Sequence, residues 1–129
     1  MARSPATLTS EELTFLTERH IGSLTTIRPD GSPHVVAISF MFDPTDGVVR
    51  IITGDVSRKV HNIEATGRAA VCQVDGRRWL TLEGQAIVTR DVGRIAAAVS
   101  AFEARYRTPG PNPKRVAIEI TIERVMGRS

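Results

Sequence analysis

The chain has a single cysteine, Cys72, so no internal disulfide can staple it. That thiol sits in an apolar run, Ala69-Ala-Val-Cys-Gln-Val74, and reads as a buried strand residue rather than a reactive group. Aromatic residues make up 5% of the sequence, with one Trp and one Tyr. The core must therefore be built from Val, Ile, Leu and Ala. The stacking platforms that single-stranded nucleic acid requires are also few. No apolar run reaches bilayer-spanning length, and the first residues do not form a secretory leader. The expected location is the cytoplasm, without membrane or nucleic-acid partners. His20, His34 and His61 are not spaced for a metal site, so no metal is expected. Neither a Gly-x-Ser-x-Gly elbow nor a Gly-Lys-Ser/Thr phosphate loop is present. Asp43, Asp46, Asp55 and Asp75 lie in or beside turns, where aspartate is favoured for geometry alone. Glu83, late in an apolar strand, reads as paired across the barrel or solvent-facing, a structural carboxylate rather than an acid-base group. With no evident nucleophile or general base, any chemistry requires a bound cofactor.

What is present is enough for one domain. The 129 residues are 41% hydrophobic and 24% charged, ordinary values for a globular chain. Residues 8–129 are expected to form that domain, after a flexible tail at 1–7. Thr9 and Glu12 make a capping box for a helix running to about Arg19, with Leu8 and Leu13 placed as a staple. Ile21–Arg28, Pro33–Phe42 and Val48–Thr53 read as strands joined by the turns Pro29-Asp-Gly31 and Asp43–Gly47. Pro33–Phe42 is apolar at nearly every position from Val35, which predicts a central strand covered on both faces. Ser57 then opens a helix ending at Gly67, and Ala69–Val74 and Arg78–Thr89 read as strands, with Gly84 a bulge. Asp91 caps a further helix whose buried face is Val92, Ile95, Val99, Phe102 and Tyr106. Thr108–Pro113 is a stiff proline loop, and Arg115–Val125 is the last strand. The order α-β-β-β-α-β-β-α-β predicts a mainly β fold, a six-stranded antiparallel barrel with peripheral helices, because closure removes exposed edges.

The segment from Ile52 to Asn62 is the most informative one. A strand ends, a glycine-bearing loop follows, and the helix at Ser57 carries Arg58 and Lys59 in its first turn. A helix N-terminus already has free N–H groups and a positive dipole end, so two cations there are unfavourable unless an anion joins them. A phosphate fits, held by backbone N–H groups, the Thr53 and Ser57 hydroxyls and the Lys59 ammonium. A solvated basic helix end is the plainer alternative. The formal charge of +3 agrees with an anionic ligand.

The spacing Ile52-Thr53-Gly54, two residues, then Ser57-Arg58-Lys59 resembles the Tyr-Thr-Asn…Ser-Arg-Lys pattern of the flavin- and deazaflavin-binding split β-barrel family that includes pyridoxamine 5′-phosphate oxidase. The resemblance extends from Leu8 to Val125. It implies the FMN-binding split-barrel fold, and cofactor contacts at Thr53, Gly54, Ser57, Arg58, Lys59 and Asn62. It further implies that His34, Val36, Ala37 and Ile38 pass along the cofactor ring, and that Trp79 flanks the ring from a partner subunit of a homodimer. For Trp79 a core anchor, and for His34 a solvent-facing strand residue, stay open as alternatives. His34 and Ser39 stand where the oxidases carry basic residues, so oxidation of pyridoxamine phosphate is not expected. Segments such as Arg78-Trp-Leu80, Arg105-Tyr-Arg-Thr-Pro109 and Pro111-Asn-Pro113 are similar to the actinobacterial reductases, bilin reductases among them, that use the deazaflavin coenzyme F420. That likeness implies hydride transfer from reduced F420 to a conjugated small molecule, with biliverdin going to bilirubin, and substrate contacts at Ser39, Arg107 and Lys114. An FMN-dependent oxidoreductase, or a non-catalytic carrier of cofactor or haem, is the alternative.

Overall fold

The computed structural model describes residues 3–128. Seven strands and three α-helices follow in the order α1 (Ser10–Phe15), β1 (Gly22–Ile27), β2 (Pro33–Ile38), β3 (Met41–Asp43), β4 (Val48–Gly54), α2 (Arg58–Thr66), β5 (Arg68–Asp75), β6 (Arg78–Thr89), α3 (Val92–Arg105) and β7 (Arg115–Arg128). All strand pairs are antiparallel, in the sheet order β2-β1-β5-β6-β7-β4-β3. The two edge strands, β2 and β3, are consecutive in sequence, separated only by Ser39 and Phe40. Three peptide steps reach at most about 10 Å, so the sheet must curl until its edges nearly meet. It stays unbonded there, which makes it a split barrel rather than a closed one.

This geometry corrects the reading of Pro33–Phe42 as one central strand. The run breaks at Ser39–Phe40 because the chain leaves one sheet edge for the other, and six expected strands become seven. β2 lies at an edge, with Val35 61% exposed. Half of its backbone groups have no strand partner within the chain. The barrel interior is lined by Leu24, Phe40, Val49, Ile51, Val71, Leu80, Leu82, Ile118 and Ile120, none more than 1% exposed. Gln73 faces the same interior and donates to Phe15 O at 2.8 Å. Strand alternation therefore turns Cys72 to the outer face, where it is half-buried rather than part of the core.

Local signals behave as expected where they act over a few residues. Thr9 and Glu12 form the capping box of α1. Gly67 ends α2 in the left-handed conformation at φ 70°. Asp91 accepts the Arg94 N–H at the start of α3. The register shifts between Glu83 and Gly84, and a Cβ on Gly84 would lie 1.8 Å from Thr121 O. Glu83 pairs with Arg124 at 3.4 Å. Two boundaries differ from expectation. α1 stops at Phe15, since Thr17 and Glu18 donate to the carbonyls three residues back. Of the expected tail 1–7, residues 3–7 are tied down: Arg3 exchanges backbone bonds with Val125 and its guanidinium grips Glu12; residues 1 and 2 lie outside the described residues. On α3 the most buried positions are Ala98, Phe102 and Arg105, while Val92 is 83% exposed.

Candidate functional site

β4 ends at Gly54, and Ser57 occupies the N-cap position of α2. The Ser57 side chain makes no capping bond. Its hydroxyl lies 3.4 Å from that of Thr53. The first N–H groups of α2 have no intrahelical acceptor. Two hydroxyls and free amides therefore meet at one helix entrance. Lys59 extends from that turn into a cleft of about 410 Å³, lined also by Ala37, Ile38, Ser39, Ile51, Ile52, Thr53, Phe102, Arg107, Pro109, Gly110, Asn112 and Arg115. No carboxylate lines this cleft. Burial pushes the Lys59 ammonium below its ordinary pKa, and no acidic neighbour opposes that shift.

The rest of the lining comes from two further segments, β2 and the proline loop. β4 and β7 place Gly54 opposite Arg115, and the Asp55 N–H donates to Lys114 O at 3.0 Å. The loop is thus stitched to the approach of α2. Asn112 Oδ1 accepts the Lys114 N–H, which leaves its amide donors free. Arg115 donates to Gly110 O within the loop, and Arg107 lies over the Phe102 ring at 5.6 Å. Seven other arginines, Arg3, Arg50, Arg68, Arg78, Arg90, Arg94 and Arg124, are ion-paired. Among the described residues the three cations of the cleft are paired with no carboxylate. Such a site attracts an anion, with Ile38, Ile51, Ile52 and Phe102 as the smaller, apolar part of its lining.

Six residues singled out from the sequence, Ala37, Ile38, Ser39, Thr53, Lys59 and Arg107, line this one cleft. Gly54 and Ser57 do not line it but adjoin residues that do, Gly54 opposite Arg115 and Ser57 bonded to Thr53. The others lie elsewhere. Arg58 points to the outer side of α2, where it lines a separate hollow with Pro29, Val56, His61 and Ala65. Asn62 is fully buried and donates to Thr26 Oγ1 at 3.0 Å, so it is a strut between α2 and β1 rather than a ligand contact. His34 and Val36 are half-buried on β2 outside the cleft, and His34 Nδ1 is buried without a partner. Trp79 is 37% exposed on β6, beside Val74 and Arg128, and neither anchors the core nor reaches the cleft within one chain. Lys114 is exposed beside the cleft. Asn112, in the proline loop, and Arg115, which flanks it, also line the cleft, and the β4–β7 pairing brings them here.

A family profile described as pyridoxamine 5′-phosphate oxidase matches residues 8–128. The chain belongs to that family. Within it, the chain is 49% identical over 127 residues to a biliverdin reductase of Mycobacterium tuberculosis that depends on reduced F420, covering 98% of this chain and 93% of the relative. A dehydrotetracycline/dehydrooxytetracycline reductase of Streptomyces rimosus is 36% identical over 64 residues, 48% of this chain and 45% of that protein. Among solved structures, an F420 reductase superposes with a TM-score of 0.75 at 26% identity, over 92% of this chain and 98% of that one. Both curated relatives are oxidoreductases, and the structural likeness agrees with the split barrel derived above.

Proposed function

We propose that the chain is an F420-dependent reductase that delivers a hydride to a conjugated small molecule, with biliverdin the leading acceptor. The observation that carries this reading is Lys59: a half-buried ammonium with no carboxylate partner, beside the Thr53 and Ser57 hydroxyls at a helix entrance. That donor set suits the phosphate of a deazaflavin, and the near-full-length similarity to a biliverdin reductase supports the choice of cofactor and acceptor. Lys59, Thr53, Ser57 and the first amides of α2 hold the phosphate, and Arg115 and Asn112 approach it from the loop. Gly54 leaves the strand end open to the ligand. Reduced deazaflavin supplies the hydride. Residues 37–39, at the end of β2 and just after it, flank the bound groups, and Ile38, Ile51, Ile52 and Phe102 give them apolar contact. Hydride addition leaves negative charge on the acceptor, which Arg107 and the Ser39 hydroxyl oppose. The same cations suit an acceptor bearing carboxylates, as biliverdin does.

The assembly is a homodimer in this reading. β2 presents an unpaired edge, and Val35, Val74, Trp79 and Met126 are exposed apolar side chains outside any cleft of the single chain. A partner covering them would bring Trp79 toward the neighbouring site. Light scattering at micromolar concentration is expected to give about twice the monomer mass of 14.1 kDa, and a monomeric mass would remove the dimer.

The functional test is a titration with F420 and with FMN, followed by anaerobic turnover. Saturable F420 binding and bleaching of biliverdin's long-wavelength band are expected. Bound cofactor without bleaching above the enzyme-free rate would remove biliverdin and keep F420. FMN binding without F420 binding would replace the cofactor. Binding without turnover of any conjugated acceptor would leave a carrier.

A further inference from the structure

The end of α3 holds a side chain that the ligand chemistry does not use. Arg105 is 8% exposed, and its donors go to neutral oxygens. Nε and Nη2 reach Glu18 O at 2.9 and 2.7 Å, Nη1 reaches Phe40 O, and Nη2 also reaches Gln73 Oε1. The guanidinium lies 4.7 Å from the Phe40 ring centroid and 5.0 Å from that of Tyr106. A buried cation without a carboxylate is a costly way to fill a core position, which an aliphatic side chain would fill at less expense. Its distinctive property is the rigid fork that ties several chain segments at once.

Tyr106 repeats the connection. Its hydroxyl donates to His20 O at 2.7 Å and accepts the Phe40 N–H at 3.4 Å. Phe40 lies where the chain leaves β2 for β3, outside both strand ladders. Both its peptide groups are taken by Arg105 and Tyr106. The residues just before Phe40, Ala37 to Ser39, line one wall of the cleft, and Arg107 and Pro109, just after Tyr106, line the other.

We infer that Arg105 and Tyr106 are positioning residues for the cleft, joining its two walls at a set spacing through the peptide of Phe40. The inference rests on the cleft being the ligand site proposed above. A binding pocket assembled from a strand corner and a proline loop has no shared ladder to hold its walls together, and this clamp takes that role. Loss of the clamp lets the walls drift, and small displacements of binding groups weaken ligand affinity far more than they weaken the fold.

The test compares Tyr106→Phe and Arg105→Lys with Val71→Ala, a buried β5 position away from the cleft. F420 affinity is measured at a temperature where each variant is folded by circular dichroism, and amide exchange is read without ligand. Both clamp variants are expected to bind about tenfold more weakly or worse, with exchange quickened over 38–41 and 107–110, while Val71→Ala lowers Tm with affinity within about twofold of the parent. Parental affinity and exchange in both clamp variants would overturn the inference. So would a loss of affinity that Val71→Ala shares in proportion to its Tm. Tyr106→Phe keeps the ring and removes one hydroxyl, so it carries the test if Arg105→Lys does not fold. Should the parent itself not bind F420, the functional reading fails and exchange decides alone. Quickening confined to the two walls supports the clamp, and unchanged or uniform exchange refutes it.

Discussion

Replacing Lys59 with methionine separates affinity from stability in opposite directions. The ammonium is half-buried, lines the cleft and has no carboxylate partner, so in the ligand-free protein it bears a desolvation cost with nothing to offset it. Lys59→Met keeps the stem's packing and removes that cost. Unfolding of the free variant should therefore occur at the parent's Tm or above it. Ligand binding behaves otherwise, because one charge-assisted hydrogen bond to a phosphate contributes roughly 1.5–3 kcal/mol, or about 10- to 150-fold in Kd. The pH dependence follows from the direction of the shift. Burial lowers the folded pKa from 10.5, so the unfolded state binds the proton more tightly. The penalty is fully present at neutral pH and fades as pH rises through the lowered pKa toward 10.5. The stability gap between variant and parent should close over that same range. Parental affinity for the anionic ligand should fall there too, and the variant's should not. Calorimetric melting of the free proteins and fluorescence titration of the cofactor measure both. A variant that binds as tightly as the parent, or that loses several degrees of Tm, would refute the placement of the anion at Lys59.

The remaining predictions concern the frame. Thr9→Ala should cost about 1 kcal/mol because its hydroxyl caps α1, whereas Ser57→Ala should cost under about 0.5 kcal/mol because its hydroxyl caps nothing, yet weaken cofactor binding; paired urea melts and titrations compare them. Arg3 and the capping bonds hold the Glu12 carboxyl down to about 2 from 4.5. Glu12→Gln should lose about 2 kcal/mol above pH 4.5, and the gap should shrink as pH falls through 4.5 and close near pH 2, as read by acid titration of unfolding. Gly84→Ala should cost about 3 kcal/mol or prevent folding, since its Cβ would meet Thr121 O at 1.8 Å. A Gly84→Ala protein with parental Tm would show that the bulge can relax.

Features set by neighbours a few residues away were legible in the sequence. The capping box needs only Thr9 and Glu12, the helix stop needs only Gly67, and the bulge shows as a glycine within a long apolar strand. The failures share one cause. A run such as Pro33–Phe42 looks the same whether it crosses the middle of a sheet or spans its two edges, because hydrophobic patterning does not say which strand lies beside it. At the break the peptide of Phe40 is bonded by Arg105 and Tyr106, 65 and 66 residues later in the chain. The site divides along the same line. Thr53, Ser57 and Lys59 belong to one strand-loop-helix unit and could be read together. Asn62 belongs to it as well, but a polar residue on a helix has no visible address until Thr26 is found beneath it. Asn112 lies in the proline loop and Arg115 flanks it, but their place beside Thr53 and Lys59 is set by the pairing of β4 with β7.

That division has a physical consequence for how the cleft works. The side proposed to hold the phosphate is local and rests on α2, whose geometry is maintained by its own backbone bonds. Its other side is a strand corner and a loop, whose backbone finds partners on distant side chains. Changes to the first side should therefore act on affinity for the anion itself, one donor at a time. Changes to the second should act on which ring systems fit between the walls. Substitutions at Ser39, Arg107 or Pro109 are accordingly where acceptor preference should shift while the phosphate remains bound, and comparing acceptors at saturating F420 distinguishes that outcome from a general loss of binding.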